Sequence, residues 1–175
     1  MRMFIPILAA LALSACTASS PPPGTAPLQQ AARSLSGPVS YDVSSWGRLL
    51  LRWQVNPDGS GEIWRGDAPG RGPGAVRKYR LTIAEPALQA FIAKVEPLRA
   101  TTAGGIDCQL QISDMRYGSI VWDYPAGKQS YDFNAGCRSP AANAALEEIL
   151  AVSDIVEKMA TIEAEPYATE APPVY

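Results

Sequence analysis

The chain contains no histidine. Histidine is the usual general base near neutral pH and the commonest metal ligand, so its absence removes the simplest form of both chemistries. Cysteine is scarce, with three in 175 residues, too few for a disulfide-dense scaffold or a four-cysteine zinc site. Neither charge dominates: 15 Lys and Arg stand against 17 Asp and Glu, a net charge of −2. Nucleic-acid binders normally carry a clearly basic face, so no nucleic-acid partner is expected. No serine sits in a G-x-S-x-G or S-x-x-K context, the two commonest settings of a serine nucleophile. No apolar run reaches the roughly 20 residues a membrane-spanning helix needs.

What is present begins with Met1-Arg2-Met3, a short positive start, followed by the apolar run Phe4 to Leu13. The run closes on Leu13-Ser14-Ala15-Cys16, with small residues before the cysteine. A positive start, a short apolar core and a small-residue end are the marks of a secretory signal. The four closing residues resemble the bacterial lipobox, and the chain is similar in this respect to bacterial lipoproteins. The resemblance implies diacylglyceryl transfer to the Cys16 thiol, cleavage after Ala15, and acylation, palmitate included, of the new amine. Two or three acyl chains anchor a protein stably, where one does so marginally. The membrane partner is therefore expected to be held through lipid on Cys16. Thr17 follows the cysteine, where Asp marks inner-membrane retention in enteric bacteria. The expected location is thus the outer membrane, facing the periplasm.

These features divide the chain into a signal peptide at 1–15, a lipidated cysteine with a Pro-rich tether at 16–37, one domain at 38–160, and an acidic, Pro-rich tail expected to be disordered at 161–175. Prolines at 21–23 and 27 stiffen the tether into a spacer.

Within the domain, Leu49, Leu51, Trp53 and Val55 alternate with more polar neighbours, the period of a half-buried strand. Asn56-Pro57-Asp58-Gly59 is dense turn chemistry, after which Glu62 to Arg65 returns as a partner strand. Val76 to Ile83 alternates as a third. Pro86 suits a first helical position, Leu88, Phe91, Ile92 and Val95 follow at helical spacing, and Pro97 is expected to end that helix. Two further strands run near Arg116–Tyr124 and Gln129–Asn134. Ser139-Pro140 opens a last helix with an apolar stripe at Leu146, Ile149, Leu150, Val152, Val156 and Met159. The order βββα-ββα predicts an α+β fold: an antiparallel sheet of about five strands with two helices on one face.

With Cys16 given to lipid, Cys108 and Cys137 remain, and an even pair in an exported domain predicts a disulfide. A full strand from Cys108 to Ser113 in a meander would leave the two about 20 Å apart, beyond the reach of about 7 Å. Gln109 to Asp114 is therefore read as a loop returning to the open end of the last hairpin.

Other motifs carry competing readings. Asn56 to Asp67 resembles an EF-hand calcium loop, but strands rather than helices flank it and Asp67 stands where a bidentate Glu is usual. No metal and no cofactor is expected. Arg71, Arg77, Lys78 and Arg80 form a basic stretch, the candidate anionic-ligand set; a solvated strand face is the competing reading. Arg65-Gly66-Asp67 and Pro172-Pro173-Val174-Tyr175 match short adhesion and WW-ligand patterns of little specificity. Trp46, Trp53, Trp64 and Trp122 either line a groove or, for two or more of them, fill the core. Carboxylate pairs such as Asp58/Glu62 or Asp123/Asp132 are the only route to a hydrolase. The sequence thus favours a non-catalytic binding or structural module with an envelope protein partner, over an inhibitor or anionic-ligand module and a carboxylate hydrolase.

Overall fold

The computed structural model describes residues 34–67 and 74–171. Cys16, the signal and most of the tether lie outside the described residues, as do Arg71 and residues 172–175. Among the described residues, eight strands and two helices follow in the order β1 (Val39–Ser45), β2 (Arg48–Val55), β3 (Ser60–Gly66), β4 (Val76–Thr82), α1 (Ala87–Thr102), β5 (Tyr117–Tyr124), β6 (Gly127–Asn134), α2 (Pro140–Met159), β7 (Thr161–Ile162) and β8 (Ala168–Glu170). The α+β class and the antiparallel sheet agree with the sequence reading. The spatial order is β6-β5-β1-β2-β3-β4-β7, with β8 also beside β4.

Three expectations are corrected. β1 was missing from the predicted order. Val39, Tyr41 and Val43 point into the core and alternate with Ser40 and Asp42, but the segment is short and serine-rich. It nonetheless becomes central, pairing β2 on one side and β5 on the other, because it joins the two halves of the sheet. The tail from 161 was expected to be disordered. Instead β7 and β8 pair with β4 and cover an edge that would otherwise present unpaired backbone groups. Finally, Pro97 lies inside α1 rather than ending it. The missing N–H costs one helical bond, yet Leu98 and Thr102 beyond it are buried, and the Thr101 and Thr102 hydroxyls both donate to the Leu98 carbonyl.

The core lies between one sheet face and the helices. Trp53, Val55, Ile63, Ile120 and Trp122 from the strands meet Phe91, Ile92 and Val95 of α1 and Ile149, Val152 and Val156 of α2. Trp53 stacks on Tyr41 with ring centres 5.3 Å apart and meets Phe91 edge-on at 5.7 Å. Its indole N–H donates to the Ser153 hydroxyl at 3.2 Å. Leu150 and Met159, placed in the apolar stripe by sequence, are exposed. α2 begins as expected, with the Ser139 hydroxyl accepting from the Ala142 N–H at 3.1 Å. No helix among the described residues is long and apolar enough to cross a membrane.

Candidate binding surface

One end of the sheet gathers apolar side chains that no core claims. The β1–β2 connection turns through Trp46 and Gly47, with φ of 53° and 74°. Two successive positive φ angles suit a tight hairpin, in which Asn or Gly is the preferred first residue. A tryptophan there costs about 1–2 kcal/mol of backbone strain, and its side chain is 75% exposed. Tyr117 opens β5 opposite Ser44, and its hydroxyl accepts from the Gly47 N–H at 3.1 Å.

Residues 108–116 continue from this point as an irregular segment alongside the end of β6. The Ile112 N–H donates to the Gly136 carbonyl at 2.9 Å, and the Arg138 N–H to the Leu110 carbonyl at 2.8 Å. Cys108 and Cys137 are joined, with Cα atoms 5.3 Å apart, as the returning-loop reading requires. The Ser139 hydroxyl adds a second link by donating to the Asp107 carbonyl at 3.1 Å. Thus held, Leu110, Ile112 and Met115 are exposed in the segment that leads into Tyr117 at this end of the sheet, Leu110 being 61% exposed. Exposed aromatic and aliphatic groups collected at one site are the usual mark of a protein contact.

Next to this rim is an open cleft of about 530 Å³, lined by Asp42, Tyr117, Ser119, Asp132, Asn134 and Cys137 among others. Asp42, Ser119 and Asp132 stand side by side on β1, β5 and β6. The Ser119 hydroxyl donates to Asp42 Oδ1 at 2.7 Å. A hydroxyl bonded to a carboxylate and flanked by another is a polar recognition row, rich in acceptors for hydroxyls or amines.

Of the predicted anionic-ligand set, Arg71 lies outside the described residues, and Arg77 is separated from Lys78 and Arg80. Strand alternation puts Arg77 on the helix-facing side of β4 with Tyr79, and Lys78 and Arg80 on the outer side. Arg77 is bound to Asp67 at 2.6 Å, Lys78 pairs with Glu170, and Arg80 lies 5.7 Å from the Tyr167 ring centre. The tail therefore engages Lys78 and Arg80, while Asp67 engages Arg77. On the outer face, Arg52 and Lys78 flank Trp64, each 5.9 Å from its ring centre.

The calcium-like loop is a β2–β3 hairpin. Asp58 accepts from the Ser60 hydroxyl at 2.7 Å and the Ser60 N–H at 3.0 Å, contacts that hold its carboxyl below the usual range. Asp67 lies beyond the far end of β3, where the Arg77 guanidinium and the Ala75 N–H likewise lower its pKa. The two acids cannot share an ion, and no cluster of three potential ligands occurs among the described residues. Trp53 and Trp122 are core, whereas Trp46 and Trp64 face outward. Asp123 sits opposite Lys128, four residues along β6 from Asp132. That spacing is about 13 Å along a strand, wider than the roughly 5–9.5 Å of a glycosidase pair.

Sequence reasoning missed the rim. The available signal was three apolar residues, Leu110, Ile112 and Met115, in a segment with neither helical nor strand periodicity. Compared with known proteins, the chain matches no family model, no curated protein and no solved structure.

Proposed function

We propose that this chain is an exported lipoprotein, held by lipid on Cys16 at the periplasmic face of the outer membrane, whose domain is a non-catalytic binding or structural module for an envelope protein. The observation that carries the reading is Leu13-Ser14-Ala15-Cys16 closing a short apolar run behind a positive start. The Cys108–Cys137 bond supports it, since such bonds persist in oxidising compartments such as the periplasm. The partner contact is assigned to the rim of Trp46, Leu110, Ile112, Met115 and Tyr117, where a strained backbone displays an aromatic side chain to solvent. The anionic-ligand alternative has less support, because Arg77, Lys78 and Arg80 already have partners within the chain.

Metabolic labelling with a fatty-acid analogue tests the anchor. The wild-type chain takes up label and fractionates with membranes, and Cys16→Ala does neither. Equal labelling of both would overturn the assignment.

A further inference from the structure

The two edges of the sheet are treated differently. On the β4 side, the tail folds back and covers the edge with β7 and β8. On the other side, among the described residues, β6 is the last strand, eight regular residues from Gly127 to Asn134 paired only with β5. Open edges of this length invite pairing with another strand.

The register of β5 and β6 shows which backbone groups are left over. In an antiparallel pair, narrow hydrogen-bonded positions alternate with wide ones. The Ala135 N–H donates to the Arg116 carbonyl, so the odd-numbered residues of β6 turn their backbone groups toward β5. Lys128, Ser130 and Asp132 turn theirs to the open edge. Their side chains share the outer face of the sheet and are exposed, whereas Tyr131 and Phe133 are buried on the helix side.

We infer that β6 pairs antiparallel with β6 of a second copy of this chain, about a two-fold axis at Ser130. This register sets Ser130 against its own counterpart, Lys128 against the second copy's Asp132, and Asp132 against the second copy's Lys128. All three pairs present free backbone groups to each other, for roughly six hydrogen bonds across the junction. Each copy also continues a charge row, since Lys128 already stands opposite Asp123 on β5. The charges select the register. Sliding one strand by two residues sets Lys128 against Ser130 or Asn134 and loses both Lys128–Asp132 pairs. Sliding it by four sets Lys128 against Lys128 or Asp132 against Asp132, where like charges directly opposite are unfavourable. A lysine on an edge strand normally discourages pairing. Here a carboxylate four residues away on the same face makes the edge complementary to itself and to few other strands. The dimer leaves the Trp46 rim at the sheet end free and does not depend on the lipid anchor.

Two measurements on the full chain, purified from whole cells in detergent, test the pairing. Ser130→Cys would place two thiols on the axis, where Cα atoms of a narrow pair lie about 5.5 Å apart, within disulfide range. Mild oxidation gives a covalent dimer of Ser130→Cys, and none of the wild type or of Ser40→Cys on the interior strand β1. In sedimentation equilibrium, Asp132→Lys weakens dimerisation about tenfold or more, because it creates two like-charge contacts. Adding Lys128→Asp to Asp132→Lys restores it, because opposite charges again face each other. Circular dichroism on the same samples confirms that each variant is folded. A wild-type chain that stays monomeric at every concentration, or a dimer indifferent to both charge changes, overturns the proposal.

Discussion

Breaking the Cys108–Cys137 bond is the perturbation whose size follows most directly from the structure. The bond spans 29 residues. On the chain-entropy model, closing a loop of that length removes about 12 cal/mol/K from the unfolded ensemble, or about 3.6 kcal/mol at 25 °C. A domain of this size is stable by about 5–15 kcal/mol, so the loss is a large fraction of the total. At about 2.1 cal/mol/K per residue over about 130 ordered residues, it lowers Tm by about 13 °C. Few other contacts hold the segment. Residues 107–117 are exposed apart from their backbone bonds to residues 135–138 and the link from Ser139 to Asp107. The reduced form should therefore also lose hydrogen-exchange protection first at residues 108–116 and at the start of α2. Thermal unfolding by circular dichroism, with oxidised, reduced and Cys108→Ser/Cys137→Ser samples compared, checks the magnitude. The last two should coincide. A Tm unchanged within about 2 °C, with free thiols verified by mass, would refute the loop-entropy reasoning.

Trp53→Phe empties part of the core and removes the hydrogen bond to Ser153; we expect a loss of about 2–3 kcal/mol, seen as a lower urea midpoint at unchanged slope. Gly118→Ala should cost about 3 kcal/mol or abolish folding, because the added carbon would sit 1.9 Å from the Asp42 carbonyl oxygen, and this can be read from expression level and Tm. Tyr41 and Tyr124 are both pushed above the ordinary tyrosine value, Tyr41 by burial and then by the Glu157 and Asp42 charges, Tyr124 by burial and its hydrogen bond to Glu96. The fold favours their neutral forms, so this contribution is complete below the unfolded value of about 10 and is lost as pH rises beyond it. Ultraviolet titration should show two tyrosines that ionise only with alkaline unfolding, and ordinary ionisation of all seven in the folded chain would contradict this.

Much of the fold was readable because period and punctuation agreed. Trp53 and Val55 on alternate positions, Asn56 to Gly59 as a turn, and Ser139-Pro140 as a helix start all appear as the sequence implies. Cys108 and Cys137 were paired by elimination once Cys16 was assigned to lipid, and the reach of a disulfide then required residues 109–114 to return to the hairpin. Errors fell where local signals are silent. Pro97 is a helix breaker taken alone, but burial of Leu98 and Thr102 carries α1 past it. Residues 161–170 are polar and Pro-containing, and only the open edge of β4, about 80 residues earlier in the chain, gives them strands to pair with.

The candidate site divides along the same line. The proposed amino-terminal signal, the absence of histidine and the cysteine count belong to the sequence by itself, because a linear pattern is enough to read them. Which cations are already partnered and which apolar groups reach solvent were decided by the tertiary structure. Arg77 and Lys78 are neighbours in the chain, yet strand pleating sends them to opposite faces and to different acids. Trp46, Leu110 and Tyr117 are up to 71 residues apart, and they share one end of the sheet because β5 pairs with β1 and the disulfide fastens the segment before it. Side-chain identity was written in the chain, but adjacency across strands arises only when non-local hydrogen bonds form.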